Sequence, residues 1–144
     1  VQDIVRNAQA FAQALAAEGF DVLAESRGYT ASHQVLTRHG DIDSGAGATA
    51  AALLEKAGII TNMNMLPGDT KAMTPSGLRL GVQELTRVGM GPREMEEVAS
   101  FYARALLRNE DVHAIKNDVH HLKSDFQHVQ YCFDSEELLA YEGM

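Results

Sequence analysis

The larger apolar residues of the first eighteen positions recur as Ile4, Val5, Ala8, Phe11, Ala12 and Leu15. That three-and-four spacing predicts a helix burying one stripe, and Gly19 stops it. Beyond it, "FDVLAES" (20–26) and "SHQVLTR" (32–38) read as two short strands around a turn at Gly28, together a hairpin. "DIDSGAGATAAALLEKAG" (41–58) opens with Asp43 and Ser44, either able to cap a helix, and closes on Gly58 after Leu53, Leu54 and Ala57. It predicts a helix of about three turns.

The polar stretch "TNMNMLPGDTKAMTPSG" (61–77) reads as an irregular loop, and loops of that length are more often functional than idle. "GLRLGVQEL" (77–85) reads as a strand. "GPREMEEVASFYARALL" (91–107) sets Pro92 in a first helical turn and Glu94, Glu96 and Glu97 near the positive end of the helix dipole. Met95, Val98, Ala99, Tyr102 and Leu106 form its buried stripe. A last helix, about 110–126, repeats the pattern with Val112, Ile115, Val119 and Leu122, and periodicity fades beyond Gln127.

This order predicts an α+β fold, a small, largely antiparallel sheet covered on one face by helices. With 144 residues and 45% hydrophobic content, the expectation is one domain, 1–144. An amphipathic helix already under way at Val1 suggests a fragment of a longer chain. The net charge of −8, with twelve scattered basic residues, argues against nucleic acid and anionic membranes as partners. A lone cysteine, Cys132, forms no internal disulfide. With no long apolar run and no signal-type start, the expected location is cytoplasmic.

Several motifs invite chemistry. "GAGATA" (45–50) matches a dinucleotide fingerprint in form, yet Asp41 and Asp43 precede it and no tight strand-to-glycine turn leads in; a small-residue helix start accounts for it. His113 and His120 lie two helical turns apart while His121 points elsewhere, so these read as a solvated face and no metal is expected. No base adjoins Cys132 to make a thiolate.

Arg79 is different. Alternation along a strand puts Leu78, Leu80 and Val82 on one face and Gly77, Arg79 and Gly81 on the other, so the arginine stands between two glycines. Glycine weakens a strand and often marks a close approach to the backbone. A guanidinium there could hold a carboxylate in a bidentate fork, a contact of about 1.5 to 3 kcal/mol. The alternative is an edge-strand arginine paired with Glu84 or Asp69.

Four segments, in this order, resemble one family. They are "VQDIVRNAQAFAQALAAEGFDVL", "TASH" (30–33), "LLEKAGIITNMNMLPGDT" (53–70) and "SGLRLGVQELTRVGM" (76–90). Together they resemble the C-terminal small domain of serine hydroxymethyltransferase, a pyridoxal-phosphate enzyme of the aspartate-aminotransferase fold type. The resemblance implies that residues 1–18 are the interdomain helix and that Arg79 binds the substrate α-carboxylate. It also places Asn64 in the folate-binding region, with tetrahydrofolate as a possible co-substrate.

Two departures stand out: Gly81, Val82, Gln83 and Glu84 where the family has Gly-Thr-Pro-Ala, and Met63 where a lysine separates the two asparagines. These leave a methylserine hydroxymethyltransferase or a folate-independent threonine transaldolase open. A reading of another class is an interaction domain that kept only the fold. The cofactor lysine and phosphate cradle of the family lie in a large domain, so no catalytic or cofactor-binding residue is expected among these 144, and the fragment by itself is expected to be inactive. The implied partners are that large domain and an amino acid, with a dimer or tetramer when intact. Without the large domain, the stripe Ile4, Phe11 and Leu15 would be exposed and available for dimerisation.

Overall fold

The computed structural model describes residues 1–130. Its elements are α1 (Gln2–Glu18), β1 (Asp21–Val22), a 3-10 turn (Glu25–Arg27), β2 (Gln34–Arg38), α2 (Ala46–Lys56), β3 (Asn62–Asn64), β4 (Gly77–Gly81), α3 (Gln83–Arg87), α4 (Pro92–Leu106) and α5 (Val112–Ser124). The four strands form one antiparallel sheet in the order β1-β2-β4-β3. This is the α+β architecture that the hydrophobic pattern predicts.

Helix α1 ends because Gly19 takes a left-handed conformation (φ 103°), letting its own N–H and that of Phe20 reach the carbonyls of Ala16 and Leu15. Its stripe does not face outward. Phe11 and Leu15 are buried, and Phe11 meets Tyr102 of α4 edge-to-face, with ring centroids 5.6 Å apart at 74°. Such a pair contributes about 0.5–1.5 kcal/mol beyond area burial. The expected dimer surface of Ile4, Phe11 and Leu15 is therefore corrected: α4 of the same chain covers it, and Ile4 is half-buried against the same core. Asn7 lies on this face too, donating to Thr86 Oγ1 (3.0 Å) and the Met90 carbonyl (2.8 Å), which ties α1 to α3 and to the segment that follows it.

Local chemistry sets the remaining boundaries. Glu94 Oε2 accepts from the Gly91 N–H (2.8 Å), closing the start of α4 behind Pro92. Asp111 accepts from the N–H groups of His113 and Ala114 and so caps α5. Helix α2 begins differently from expectation, at Gly45 with φ 73°, because Asp43 is turned toward Thr70 and Lys71.

Three strand expectations are also corrected. The first strand shrinks to two residues because Ala24 adopts φ 63° and the chain enters the 3-10 turn. Residues 83–85 belong to α3, since ladder pairing ends at Gly81 opposite Gln34. The expected loop 61–77 contains a strand, β3.

The core lies on one face of the sheet. Val22, Val35, Thr37, Leu78 and Leu80 are buried there with residues of α1, α2 and α4, each large apolar side chain contributing roughly 1.5–3 kcal/mol. Among the described residues no helix is long and apolar enough to cross a membrane.

Candidate carboxylate-binding face of the sheet

The opposite face is left open by the described residues. In an antiparallel ladder directly paired residues share a face, so the register of β4 defines it. Gly81 pairs with Gln34; Arg79 lies between Leu36 of β2 and Asn62 of β3; and Gly77 lies between Arg38 and Asn64. Arg79 and Asn64, both singled out by sequence, thus stand on one face as diagonal neighbours, a spacing of about 7–8 Å in such ladders. Asn62, directly opposite Arg79, is the residue that sequence reasoning misses, because it belongs to a strand too short to show alternation.

Arg79 is exposed and makes no hydrogen bond or ion pair among the described residues. Both partners of the alternative reading are engaged elsewhere. Glu84 pairs with Arg87 at 3.3 Å, and Asp69 accepts four hydrogen bonds from other donors. Arg38, the other cation of this face, is braced: its guanidinium reaches Asp21 (3.6 Å), Ser76 Oγ (3.3 Å) and the Pro67 carbonyl (3.4 Å). Arg79 is therefore the guanidinium of this face with all its donors available to a planar anion.

The flanking glycines have separate causes. A Cβ on Gly77 would overlap the side chain of buried Leu66, and one on Gly47 of α2 would overlap the Gly77 backbone. The close approach at Gly77 is thus made by the protein itself from both sides. It also explains "GAGATA": Gly47 lets α2 lie against β4, donating its N–H to the Pro75 carbonyl (3.1 Å). At Gly81, a Cβ would lie 2.5 Å from Gln83 Oε1, so on that side the neighbour of Arg79 is the end of a flexible side chain that can move aside.

Of the two departures from the family pattern, Met63 pairs with Leu78 and so belongs to the covered face; it lies at the sheet edge, 48% exposed. Gln83 is the departure that borders the Arg79 face. "TASH" makes the turn into β2: Ser32 N–H donates to Thr30 Oγ1, Gln34 N–H donates to Ser32 Oγ, and the His33 carbonyl accepts from Val82 N–H beside the end of β4. Asn64 donates to its neighbour's carbonyl, that of Met65 (2.7 Å).

A pair of carboxylates braces the segment between β3 and β4. Asp69 Oδ2 accepts from Leu66 N–H (2.9 Å), Ser76 N–H (2.9 Å) and Ser76 Oγ (2.8 Å), while Oδ1 accepts from Asp43 N–H (2.8 Å). Asp43 in turn accepts from Thr70 N–H (2.7 Å), Thr70 Oγ1 and Lys71 N–H (2.8 Å). The backbone donors of Leu66, Asp43 and Ser76 hold the Asp69 carboxyl well below its usual range. Asp43 is lowered as well, first by the Thr70 hydroxyl and then by the Lys71 N–H.

Lys56, Lys71, Lys116 and Lys123 are all exposed, on α2, the 65–76 segment and α5, whereas a Schiff-base lysine needs a desolvated or cationic surrounding. His113, His120 and His121 are exposed along α5, and no group of three metal-ligating side chains converges among the described residues. Cys132 lies outside the described residues.

Known proteins match this chain over most of its length. A family model for serine hydroxymethyltransferase matches residues 1–102. The curated serine hydroxymethyltransferases of Thermococcus kodakarensis, Pyrococcus abyssi and Thermoplasma acidophilum are 52%, 51% and 49% identical over 91%, 92% and 96% of this chain. The matches cover 31%, 32% and 33% of those proteins, so the chain spans about a third of the length of its curated relatives. A solved L-threonine transaldolase from Pseudomonas fluorescens superposes with a TM-score of 0.81 at 30% identity, over 99% of this chain and 33% of its own.

Proposed function

The chain belongs to the serine hydroxymethyltransferase family, and on that basis we propose that it is the C-terminal small domain of a pyridoxal-phosphate enzyme that interconverts serine and glycine with tetrahydrofolate. In this reading Arg79 receives the α-carboxylate of the amino acid. The observation that carries it is the open-face guanidinium: exposed, without a partner among the described residues, and on the strand whose motif resembles the family's carboxylate-binding segment. The cofactor and the catalytic lysine are assigned to a large domain outside these residues.

Within the chain, the contribution is binding and orientation. A bidentate fork fixes the plane and direction of the carboxylate, and such positioning lowers the entropic part of a barrier. The guanidinium stays protonated and moves no proton. Asn62 and Asn64 offer amide donors and acceptors beside it, and Asn64 is the residue proposed to face the folate.

The test is made on the full-length enzyme. Arg79→Ala or Arg79→Lys is expected to weaken serine and glycine binding by about 2 kcal/mol or more, because the charged contact loses its fork. Unchanged amino-acid affinity would sink the role. The transaldolase likeness supports one second reading, amino-acid chemistry without folate; turnover of serine at full rate with no tetrahydrofolate present would favour it.

A further inference from the structure

The two strands that carry Asn64 and Arg79 are joined by residues 65–76, a connection long enough to let their relative height vary. One carboxylate closes that connection at both ends. Asp69 accepts from Leu66, two residues after Asn64, and from Ser76, three residues before Arg79. Its other oxygen takes the Asp43 N–H, and Asp43 holds Thr70 and Lys71 from the far side. Asp43 does this with a positive φ of 56°, a conformation that costs free energy for a residue with a Cβ and is maintained by the contacts around it. Leu66, placed by the same bracket, fills the space over Gly77 on the open face. The fixed end of β4, two residues before Arg79, is thus built from the bracket.

We infer that Asp69 and Asp43 are positioning residues for the carboxylate site: they set the register and height of Asn64 and Ser76 and, through Gly77, the direction of Arg79. The inference rests on Arg79 being the carboxylate ligand. Neither aspartate touches the substrate; each acts by satisfying backbone donors that would otherwise let the 65–76 segment rearrange. The change Asp69→Asn is nearly isosteric; with the amide oxygen kept on Leu66 and Ser76, its NH2 meets the Asp43 N–H, so the bracket loses its charge and its link to Asp43 with little change in volume.

Equilibrium binding of glycine to the full-length holoenzyme, measured by calorimetry, tests this with a double-mutant cycle. Asp69→Asn is expected to weaken glycine binding about tenfold in the parent, and by less than about twofold when it is combined with Arg79→Lys. Non-additivity of that kind is what positioning through Arg79 requires. Equal effects in both backgrounds, or no effect in the parent, overturn the inference while leaving the role of Arg79 intact. If Arg79→Lys by itself leaves glycine binding unchanged, the carboxylate reading fails instead. Thr70→Val guards against a variant that does not fold, since Thr70 is exposed and donates its hydroxyl to Asp43. It is expected to weaken glycine binding about two- to threefold with the same non-additivity, and parental affinity in Thr70→Val counts against the bracket.

Discussion

The two faces of one small sheet are built by different physics. On the covered face Val22, Val35, Thr37, Leu78 and Leu80 are buried against helices, and position follows from excluding water. On the open face Gln34, Leu36, Arg38, Asn62, Asn64 and Arg79 are half-buried or exposed, and the segment joining β3 to β4 is held there by hydrogen bonds to two aspartates and from one braced arginine. A strand can therefore hold a binding residue still by burying that residue's neighbours. Arg79 is flanked by Leu78 and Leu80, which are immobilised in the core.

If the faces are separable, they should break separately. The largest stability effect belongs to Leu78→Ala, expected to cost about 2–5 kcal/mol because nothing fills the space beneath β4. Its neighbour Arg79→Ala is expected to change stability by no more than about 0.5 kcal/mol, while weakening amino-acid binding by about 2 kcal/mol or more. Chemical denaturation of both variants makes the comparison, and equal losses would show that the faces are coupled.

An intermediate effect is expected at the seam between them. Gly77→Ala drives a methyl into Leu66 and should cost about 1–3 kcal/mol by overpacking. The added Leu66→Ala change makes room and should return part of that loss, readable in the same denaturation series. Failure of the second change to relieve the first would mean that the strain lies in the backbone against α2.

The smallest and sharpest effect is in the acid limb. Asp69 is held below the ordinary carboxylate value of 3.8, so its contribution is complete above that value and is lost as pH falls through its lower, folded-state value. Melting temperatures of the parent and Asp69→Asn should therefore differ at pH 7 and converge as the pH is lowered toward about 2. A gap independent of pH would assign the stabilisation to packing.

Periodicity is a local property, and it makes the long helices legible. Phe11 and Leu15 recur at helical spacing whatever they pack on, and Pro92 with Glu94 marks a helix start by local hydrogen bonding. The α1 stripe shows the limit of that reading, because the same pattern fits an intermolecular face and an intramolecular one. Short elements are not legible either. Strand β3 runs only from Asn62 to Asn64, too short for alternation to register. Helix α3 replaces the end of the expected strand because the last ladder pair is Gln34 with Gly81, and no residue of β2 remains to pair beyond it.

The class of fold, the long helices and an arginine on a strand face opposite two leucines can all be read from neighbouring residues, because helical and strand periods are written there. Which surfaces stay free is settled by contacts between segments far apart in the chain. They put α4 over the α1 stripe, Leu66 over Gly77, and Asp69 onto Leu66, Asp43 and Ser76, which leaves Arg79 without a partner among the described residues. Asp43 and Asp69 meet only because the chain folds back on itself, and no local pattern encodes which distant donor a carboxylate will meet.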